Sequence, residues 1–372
     1  MRVLYLARYF PALTETFVAD ELRGVAEAGV AVEVASLGTR ADSALADPVP
    51  GVPVFEVPRA WLSRLRSLRS PAARQIAAWQ RPKDAARLPA LAARAGSFDG
   101  VHVHFAGEAA ELAWALHRDH GVPYTVTVHA VDLFKPRPSF DAVLADAAGV
   151  FTVAEHHRRL LAARGHAAQL VRCGPRLADF AILPPPPDGP LRALFVGRDV
   201  PKKGLELLLD AWAAAPAGAR LEVISDAARP TWPSGVHATG LQPRAAVRAA
   251  LARANAVVLP CRRAPDGDQD GVPVVLMEAL AARRPVVTCP VSGVPELVDE
   301  AVGWLAAADD RGALSQAIQA ASDPEGRRDR GDHGPARLRA RGFTLAEQVR
   351  SVVHAWTSCF RPVACGSPEP RS

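Results

Sequence analysis

Four consecutive prolines, Pro184 to Pro187 in the stretch DFAILPPPPDGP, exclude helix and favour an extended connector, so the chain has to fold on either side of them. The apolar runs RVLYLA at 2–7 and LRALFVG at 191–197 read as buried strands, and each opens a series of alternating strand and helix patterns. In the first half strands are expected near 31–37, 101–105, 124–128, 150–153 and 168–172, separated by helical stretches such as 108–118. In the second, strands near 220–224, 256–260 and 285–289 alternate with helices near 204–215, 243–253 and 273–282. Such alternation builds doubly wound parallel sheets. The expected α/β layout is a Rossmann-like domain over 1–180, a Pro-rich linker over 181–190 and a second Rossmann-like domain over 191–343. A helix over 344–358, with Leu345, Val349 and Trp356 on one face, is expected to pack back on the first domain, and 359–372 to form a flexible tail. Parallel sheets bind ligands beyond the carboxyl ends of their strands, so two such domains place two loop-lined edges across one cleft. That geometry predicts a two-substrate enzyme.

With 49% hydrophobic residues in 372, the chain has material for two cores. Its 44 basic residues exceed the 39 acidic ones by five, which suits a small anionic ligand better than a nucleic-acid surface, and no nucleic-acid motif stands out. The five cysteines lack metal or disulfide spacing. That pattern leads to an expected reducing, cytoplasmic setting. The start, MRVLYLARYF, carries too short an apolar run for a signal peptide and is followed by PALTETF instead of a cleavage site, and no apolar stretch has membrane-spanning length, so a soluble or peripheral protein is expected. No repeat of solenoid period is present, and nothing encodes an oligomeric state.

The stretch LFVGRDVPKKGLELLLDAW ends a strand at Gly197, places Arg198, Lys202 and Lys203 in the turn, and starts a helix near Gly204. Cations and unbonded backbone N–H groups converge there on a helix N-terminus, an arrangement that suits a diphosphate; a solvated turn with ordinary lysines has the same spacing. It is not a Walker loop.

A second stretch, APDGDQDGVPVVLMEALAARRPVV, carries Asp266, Asp268 and Asp270. An EF-hand would need a bidentate Glu at the twelfth loop position, where Met277 stands. Asp266 and Asp268 therefore belong either to a metal-holding loop or to a flexible solvent loop. Glu278 falls inside an otherwise apolar helical run, where an unpaired carboxylate is costly, and so needs a hydrogen-bonding partner: ribose hydroxyls or a neighbouring structural group.

These motifs together resemble the retaining glycosyltransferases of family 4, which have the GT-B fold. The resemblance rests on GRDVPKKGLELLLDAW, on DGVPVVLMEALAARRPVV with an acid and a Glu eight apart, and on VSGVPELV followed by VGWLAA. In the first half it rests on RYFPALTETFVADEL, HVHFAG and YTVTVHAVDLF, which are similar to the bacterial colanic-acid branch. The resemblance implies that Arg198 and Lys203 hold the donor diphosphate, Glu278 the ribose hydroxyls and Asp270 the donor-sugar hydroxyls. It implies backbone N–H groups from Gly271 and Val272, and His129 beside the donor sugar, although an isolated His at a strand end is by default structural. Thr14, Glu15 and Thr16 are placed by it at a helix start facing the cleft, where they would otherwise form a simple N-cap. It further implies a metal-independent transfer with retention, the nucleotide sugar, expected to be UDP-linked, serving as co-substrate without a separate cofactor.

Four departures from the family pattern stand out. Asp270 replaces the usual Glu, ISDAARP lacks a glycine-rich turn, Pro175 and Arg176 replace a valine and an acid, and Arg283 replaces a helix-ending glycine. The last would cost on the order of 1 kcal/mol if that residue is left-handed.

For the acceptor, Glu108 and Glu111 follow a strand end and are expected near Glu15 and Asp132, acids that would suit a cationic, aminoglycoside-like compound. A surface-polysaccharide intermediate is the alternative. Eight basic residues between Arg59 and Arg87, interleaved with Trp61, Leu62, Leu65, Leu68, Ile76 and Trp79, read either as a peripheral membrane contact or as a helical hairpin with a solvated basic face. Two other functions fit the same pattern: a catalytically silent sugar-nucleotide-binding protein, and a GT-B epimerase or phosphorylase.

Overall fold

The computed structural model describes residues 1–58, 70–79 and 82–360. Its first sheet has seven parallel strands: β1 Arg2–Ala7, β2 Ala31–Ser36, β3 Val54–Glu56, β4 Gly100–His104, β5 Tyr124–Val128, β6 Gly149–Thr152 and β7 Gln169–Leu170. Their order is β3-β2-β1-β4-β5-β6-β7. The second has six: β8 Arg192–Val196, β9 Arg220–Ile224, β10 Val236–Thr239, β11 Ala256–Leu259, β12 Val286–Thr288 and β13 Gly303–Leu305, ordered β10-β9-β8-β11-β12-β13. In both, the order reverses beside the first strand of the half, between β1 and β4 and between β8 and β11, the switch points at which doubly wound sheets open a crevice. The two-Rossmann, GT-B architecture is therefore present. Strands β3, β10 and β13 were not expected from the pattern. All three are short edge strands with mostly half-exposed or exposed side chains, so none presents a buried apolar run.

The proline stretch is fastened to the second half. Arg284, 1% exposed, donates to the carbonyl of Pro184 at 3.0 Å, and Asn255 Nδ2 donates to those of Pro187 and Pro190 at 3.2 and 3.0 Å. Buried donors thus take up carbonyls that an extended segment cannot satisfy internally. The C-terminal helix, Leu345–Cys359, returns to the first sheet, where fully buried Trp356 donates from Nε1 to Thr125 Oγ1 at 3.1 Å. It packs closely on the helix Thr16–Glu27, since a Cβ on Gly24 would lie 2.5 Å from Val349 Cγ2.

The 17-residue helix Pro324–Ala340 was not expected. Its buried positions are Arg327, Gly331, Gly334 and Leu338, a helical stripe that carries almost no apolar side chains. The glycines let it lie against the end of the helix Val274–Ala281: a Cβ at Gly331 would sit 2.3 Å from the carbonyl oxygen of Arg283, and one at Gly334 2.4 Å from that of Leu280. Arg283 is left-handed, at φ 58°, and Arg284 N–H donates back to the Ala279 carbonyl at 2.8 Å, closing a Schellman-type helix end.

Of the basic segment at 59–87, residues 59–69 and 80–81 lie outside the described residues, including Trp61, Leu62, Leu65 and Leu68. Ile76 is fully buried, and Trp79 packs on Trp114 with ring centroids 4.7 Å apart, so these two apolar side chains belong to the core rather than to a membrane-facing surface. Among the described residues no helix is long and apolar enough to cross a membrane.

Candidate functional site

A cleft of about 660 Å³ opens between the carboxyl ends of the two sheets. After β8 the chain passes Gly197 and Arg198, makes one tight turn over Pro201–Lys203 and enters the helix Leu205–Trp212. The helix begins at Leu205, one residue later than expected, because Gly204 is left-handed at φ 69° and so closely set that a Cβ would lie 2.2 Å from the Pro260 carbonyl oxygen. The exposed Arg198 side chain lines the cleft and makes no ion pair or hydrogen bond among the described residues.

Lys203 Nζ sits 2.6 Å from Asp270 Oδ2, and Lys202 Nζ lies 3.1 Å from Asp268 Oδ1 and 3.4 Å from Asp270 Oδ1. Burial opposes both charges of the Lys203–Asp270 pair. Each outweighs it for the other: Lys203 is raised and Asp270 is held below the usual carboxylate range, with help from Lys202. Asp266 and Asp268 take Lys135 of the N-terminal half at 2.6 and 3.6 Å. The three aspartates are thus engaged by three lysines, and a divalent cation would have to displace ammonium groups already in place.

Glu278 lies on the helix Val274–Ala281, which is capped by Pro273, and is 8% exposed at the cleft wall. Its carboxylate has no hydrogen bond among the described residues, and Arg244 Nη2 stands 3.9 Å away. Burial pushes Glu278 up to about 7 against the pull of Arg244, with Asp20 adding to the rise. Arg244 in turn grips Asp20 of the N-terminal half through both oxygens, at 2.5 and 2.7 Å, which fixes the two halves across the cleft. Gly271 and Val272 line the same wall; a Cβ at Gly271 would lie 2.7 Å from His157 Cε1, so the backbone there passes closer to the ring than any larger residue allows.

From the N-terminal half, His129 follows β5 and starts the short helix Ala130–Phe134. Its backbone N–H donates to Asp132 Oδ2 at 2.8 Å. Burial, reinforced by neighbouring histidines, holds His129 well below the ordinary imidazole range; burial raises Asp132 to about 7 although the His129 and Ala106 N–H groups oppose it. Thr14, Glu15 and Thr16 also line the cleft, with Glu15 at the N-cap of Thr16–Glu27 and no side-chain cap bond, so the simple capping role is not taken. Burial raises Glu15, opposed by His104, Arg40, Arg198 and Arg8.

Of the acids expected near the acceptor, Glu15, Glu108 and Asp132 line the cleft, and the placement of Glu111 is corrected. Glu111 does not line the cleft: fully buried, it takes Arg137 Nε at 2.9 Å and the Ser139 hydroxyl. Glu108 does line it, but bridges to Arg8 at 3.3 Å and to Arg137 at 3.4 Å. These acids are matched by arginines that the sequence pattern did not connect to them.

Sequence reasoning also missed Lys135, Arg244 and a buried cluster of Glu21, His102 and His104 whose ligand-type atoms lie within 4.8 Å of one another. This cluster has metal-compatible donors, yet Tyr5, Gln348, Thr125 and Thr127 already hydrogen-bond to it. Its signal was the spacing of HVH in β4, since residues two apart in a strand face the same way.

Residues 190–323 match a family model described as glycosyl transferases group 1, and residues 14–176 one described as a glycosyl transferase 4-like domain. A stretch of 91 residues, 24% of this chain, is 41% identical to the amylovoran biosynthesis glycosyltransferase AmsK of Erwinia amylovora, and one of 88 residues, 23% of this chain, is 43% identical to the putative colanic acid biosynthesis glycosyltransferase WcaL of Escherichia coli. Each match covers only 22% of the relative's length. Among solved structures, Anabaena HepE in complex with UDP and glucose aligns over 96% of this chain and 100% of its own, with a TM-score of 0.75 at 16% identity. A Rickettsia africae glycosyltransferase aligns over 97% and 98% with a TM-score of 0.73 at 12% identity. At these identities the structural likeness speaks to fold.

Proposed function

The chain belongs to the group 1 glycosyltransferases of GT-B fold, and from that premise we propose that it transfers a hexose or N-acetylhexosamine from a UDP-linked sugar to a hydroxyl of a polysaccharide intermediate. The observation that carries this reading is the presence, in one cleft, of two groups unmatched among the described residues: the Arg198 guanidinium, with no ion pair or hydrogen bond, and the Glu278 carboxylate, with no hydrogen bond. A diphosphate and a ribose diol are the complementary groups. That HepE was solved with UDP and with UDP-glucose supports the same base, and the names of the partial relatives support a polysaccharide acceptor. Glu111 is buried away from the cleft and Glu108 is matched by Arg8 and Arg137, which leaves Glu15 and Asp132 as the expected acids there and weakens the case for a cationic acceptor.

In this reading the β-phosphate of the donor gains negative charge as the glycosidic bond breaks. Arg198 and Lys203 stabilise that charge more in the transition state than before it. Asp270 accepts from the donor-sugar hydroxyls, Glu278 from the ribose, and Gly271 and Val272 contribute backbone N–H groups. The acceptor oxygen attacks the anomeric carbon from the face the phosphate leaves, and the phosphate takes the hydroxyl proton, so configuration is retained without a protein nucleophile. Thr14 to Thr16 and His129 form the opposite wall, and closing the halves excludes water. Cys173, Cys261, Cys289 and Cys359 form no disulfide among the described residues.

The test is to incubate the protein with a panel of UDP-, GDP- and dTDP-sugars, with and without glycan acceptors, and follow nucleoside diphosphate release and product mass. Acceptor-dependent UDP release supports the reading. Binding without turnover over the whole panel, or donor conversion that needs only water or phosphate, overturns it.

A further inference from the structure

A buried carboxylate in the core of the first sheet is connected to the cleft by hydrogen bonds. Glu21, 1% exposed, accepts the Tyr5 hydroxyl at 2.8 Å and faces His104 Nε2 at 3.0 Å on one oxygen, and accepts from Gln348 Nε2 of the C-terminal helix at 2.7 Å on the other. The second nitrogen of His104, Nδ1, lies 3.1 Å from His129 Nε2. His102 backs the cluster, with Nδ1 2.8 Å from Thr125 Oγ1 and Nε2 3.3 Å from Thr127 Oγ1.

With both imidazoles neutral, each nitrogen along this line has a single role. Glu21 receives the Tyr5 hydroxyl and the Gln348 amide and is held below the usual carboxylate range, so it is an anion and can only accept. His104 must then donate from Nε2. A neutral ring with its proton on Nε2 accepts at Nδ1, which makes His129 the donor from its own Nε2. His129 Nδ1 is left without a proton. The ring also packs against both Phe17 and Phe105, at centroid distances of 4.9 and 4.5 Å, and Phe105 occupies a left-handed backbone position at φ 70° that a bulky residue rarely adopts.

We propose that Glu21 and His104 are positioning residues for His129, holding its ring with the proton on Nε2 so that Nδ1 accepts from a hydroxyl of the donor sugar. This rests on reading the cleft as a nucleotide-sugar site. The relay reaches from the sheet core to the cleft wall without touching the nucleotide, so its loss should alter how the sugar is held while leaving UDP binding intact.

The test has two arms. In the first, protein with 15N-labelled histidine is examined by long-range proton–nitrogen NMR, which needs no activity. Wild-type His129 should show a protonated Nε2 and an unprotonated Nδ1, and both Glu21→Gln and His104→Gln should move these signals toward the average of the two tautomers. His104→Gln retains an amide where Nε2 met Glu21 while removing the Nδ1 link, so it carries the test if Glu21→Gln does not fold. In the second arm, both variants should lower turnover of the donor sugar roughly tenfold while the inhibition constant of UDP is unchanged. Wild-type-like His129 signals in the variants, or a protonated Nδ1 in the wild type, would overturn the proposal. If no donor turns over, the transferase reading falls while the NMR arm still decides the relay.

Discussion

Lys203 and Asp270 hold each other at 2.6 Å before any ligand is present, so the cation assigned to the diphosphate and the carboxylate assigned to the sugar form one preorganised unit. An ammonium has three donors, and one is committed to Asp270. Arg198, exposed and unpaired among the described residues, has no such structural duty. The two substitutions should therefore separate. Arg198→Ala is expected to lower turnover by about 10²–10³-fold with an unchanged melting temperature. Lys203→Ala should lower turnover at least as much and also cost about 3 kcal/mol of stability, since Asp270 then keeps only Lys202. Initial rates and thermal denaturation read both; a near-normal rate for Arg198→Ala would refute its role at the diphosphate.

The aspartate loop gives a second expectation. Asp266 has a side chain 58% exposed and meets Lys135 at the surface, where an ion pair contributes little. Asp266→Asn should leave both rate and melting temperature close to wild type, and EDTA should leave the rate unchanged. Activity lost to chelation and restored by manganese would show that the loop holds a metal and that the lysines yield to it.

Strand runs such as RVLYLA and the β8–turn–helix cations were legible because each combines a buried apolar period with an uninterrupted local signal. What was not legible depends on residues distant in sequence. Glu111 reads like a cleft acid until Arg137 and Ser139, 26 and 28 residues on, come round to cover it. Asp20 and Arg244 are 224 residues apart and meet only because the two sheets face each other. Edge strand β10 lacks the buried apolar run that marks an interior strand. The helix Pro324–Ala340 was invisible for a different reason, because its contact face is defined by missing side chains.

That contact face makes a prediction with a definite sign. Replacing glycine by alanine inside a helix normally stabilises by up to about 1 kcal/mol. At Gly334 the new Cβ would sit 2.4 Å from the Leu280 carbonyl oxygen, which is backbone and cannot swing aside. Gly334→Ala should therefore lower stability by roughly 1–3 kcal/mol, and because Leu280 shares a helix with Glu278 it should weaken UDP-sugar binding as well. Gly240→Ala, with nothing within 4 Å, is the control and should be nearly neutral. Chemical denaturation of both variants decides it; a stabilised Gly334→Ala would mean that the two helices are not in contact.

Glu278 links the site to pH. Its carboxyl stands at about 7, against 4.5 for the free group, because it is buried and has no hydrogen bond among the described residues to compensate. The sign for stability follows from proton counts: between 4.5 and 7 the native state holds a proton that the unfolded state has released, so this group's contribution falls as pH rises through that window. Above it the loss is of order 3 kcal/mol, and Glu278→Gln should raise the melting temperature at pH 8. For the ligand the sign is opposite. Ribose hydroxyls donate to the ionised carboxylate and favour it, so donor binding should expel a proton near neutrality and tighten as pH rises through about 7. Asp132 is also raised to about 7 in this cleft, so the Glu278→Gln variant is needed to isolate the effect. A UDP-sugar without acceptor is the appropriate ligand, since the terminal phosphate of UDP itself titrates near pH 6. Calorimetry at pH 7 in two buffers of different ionisation enthalpy should show proton release for the wild type and a diminished release with weaker binding for Glu278→Gln. Equal heats in both buffers, or undiminished affinity in the variant, would remove Glu278 from the ribose site.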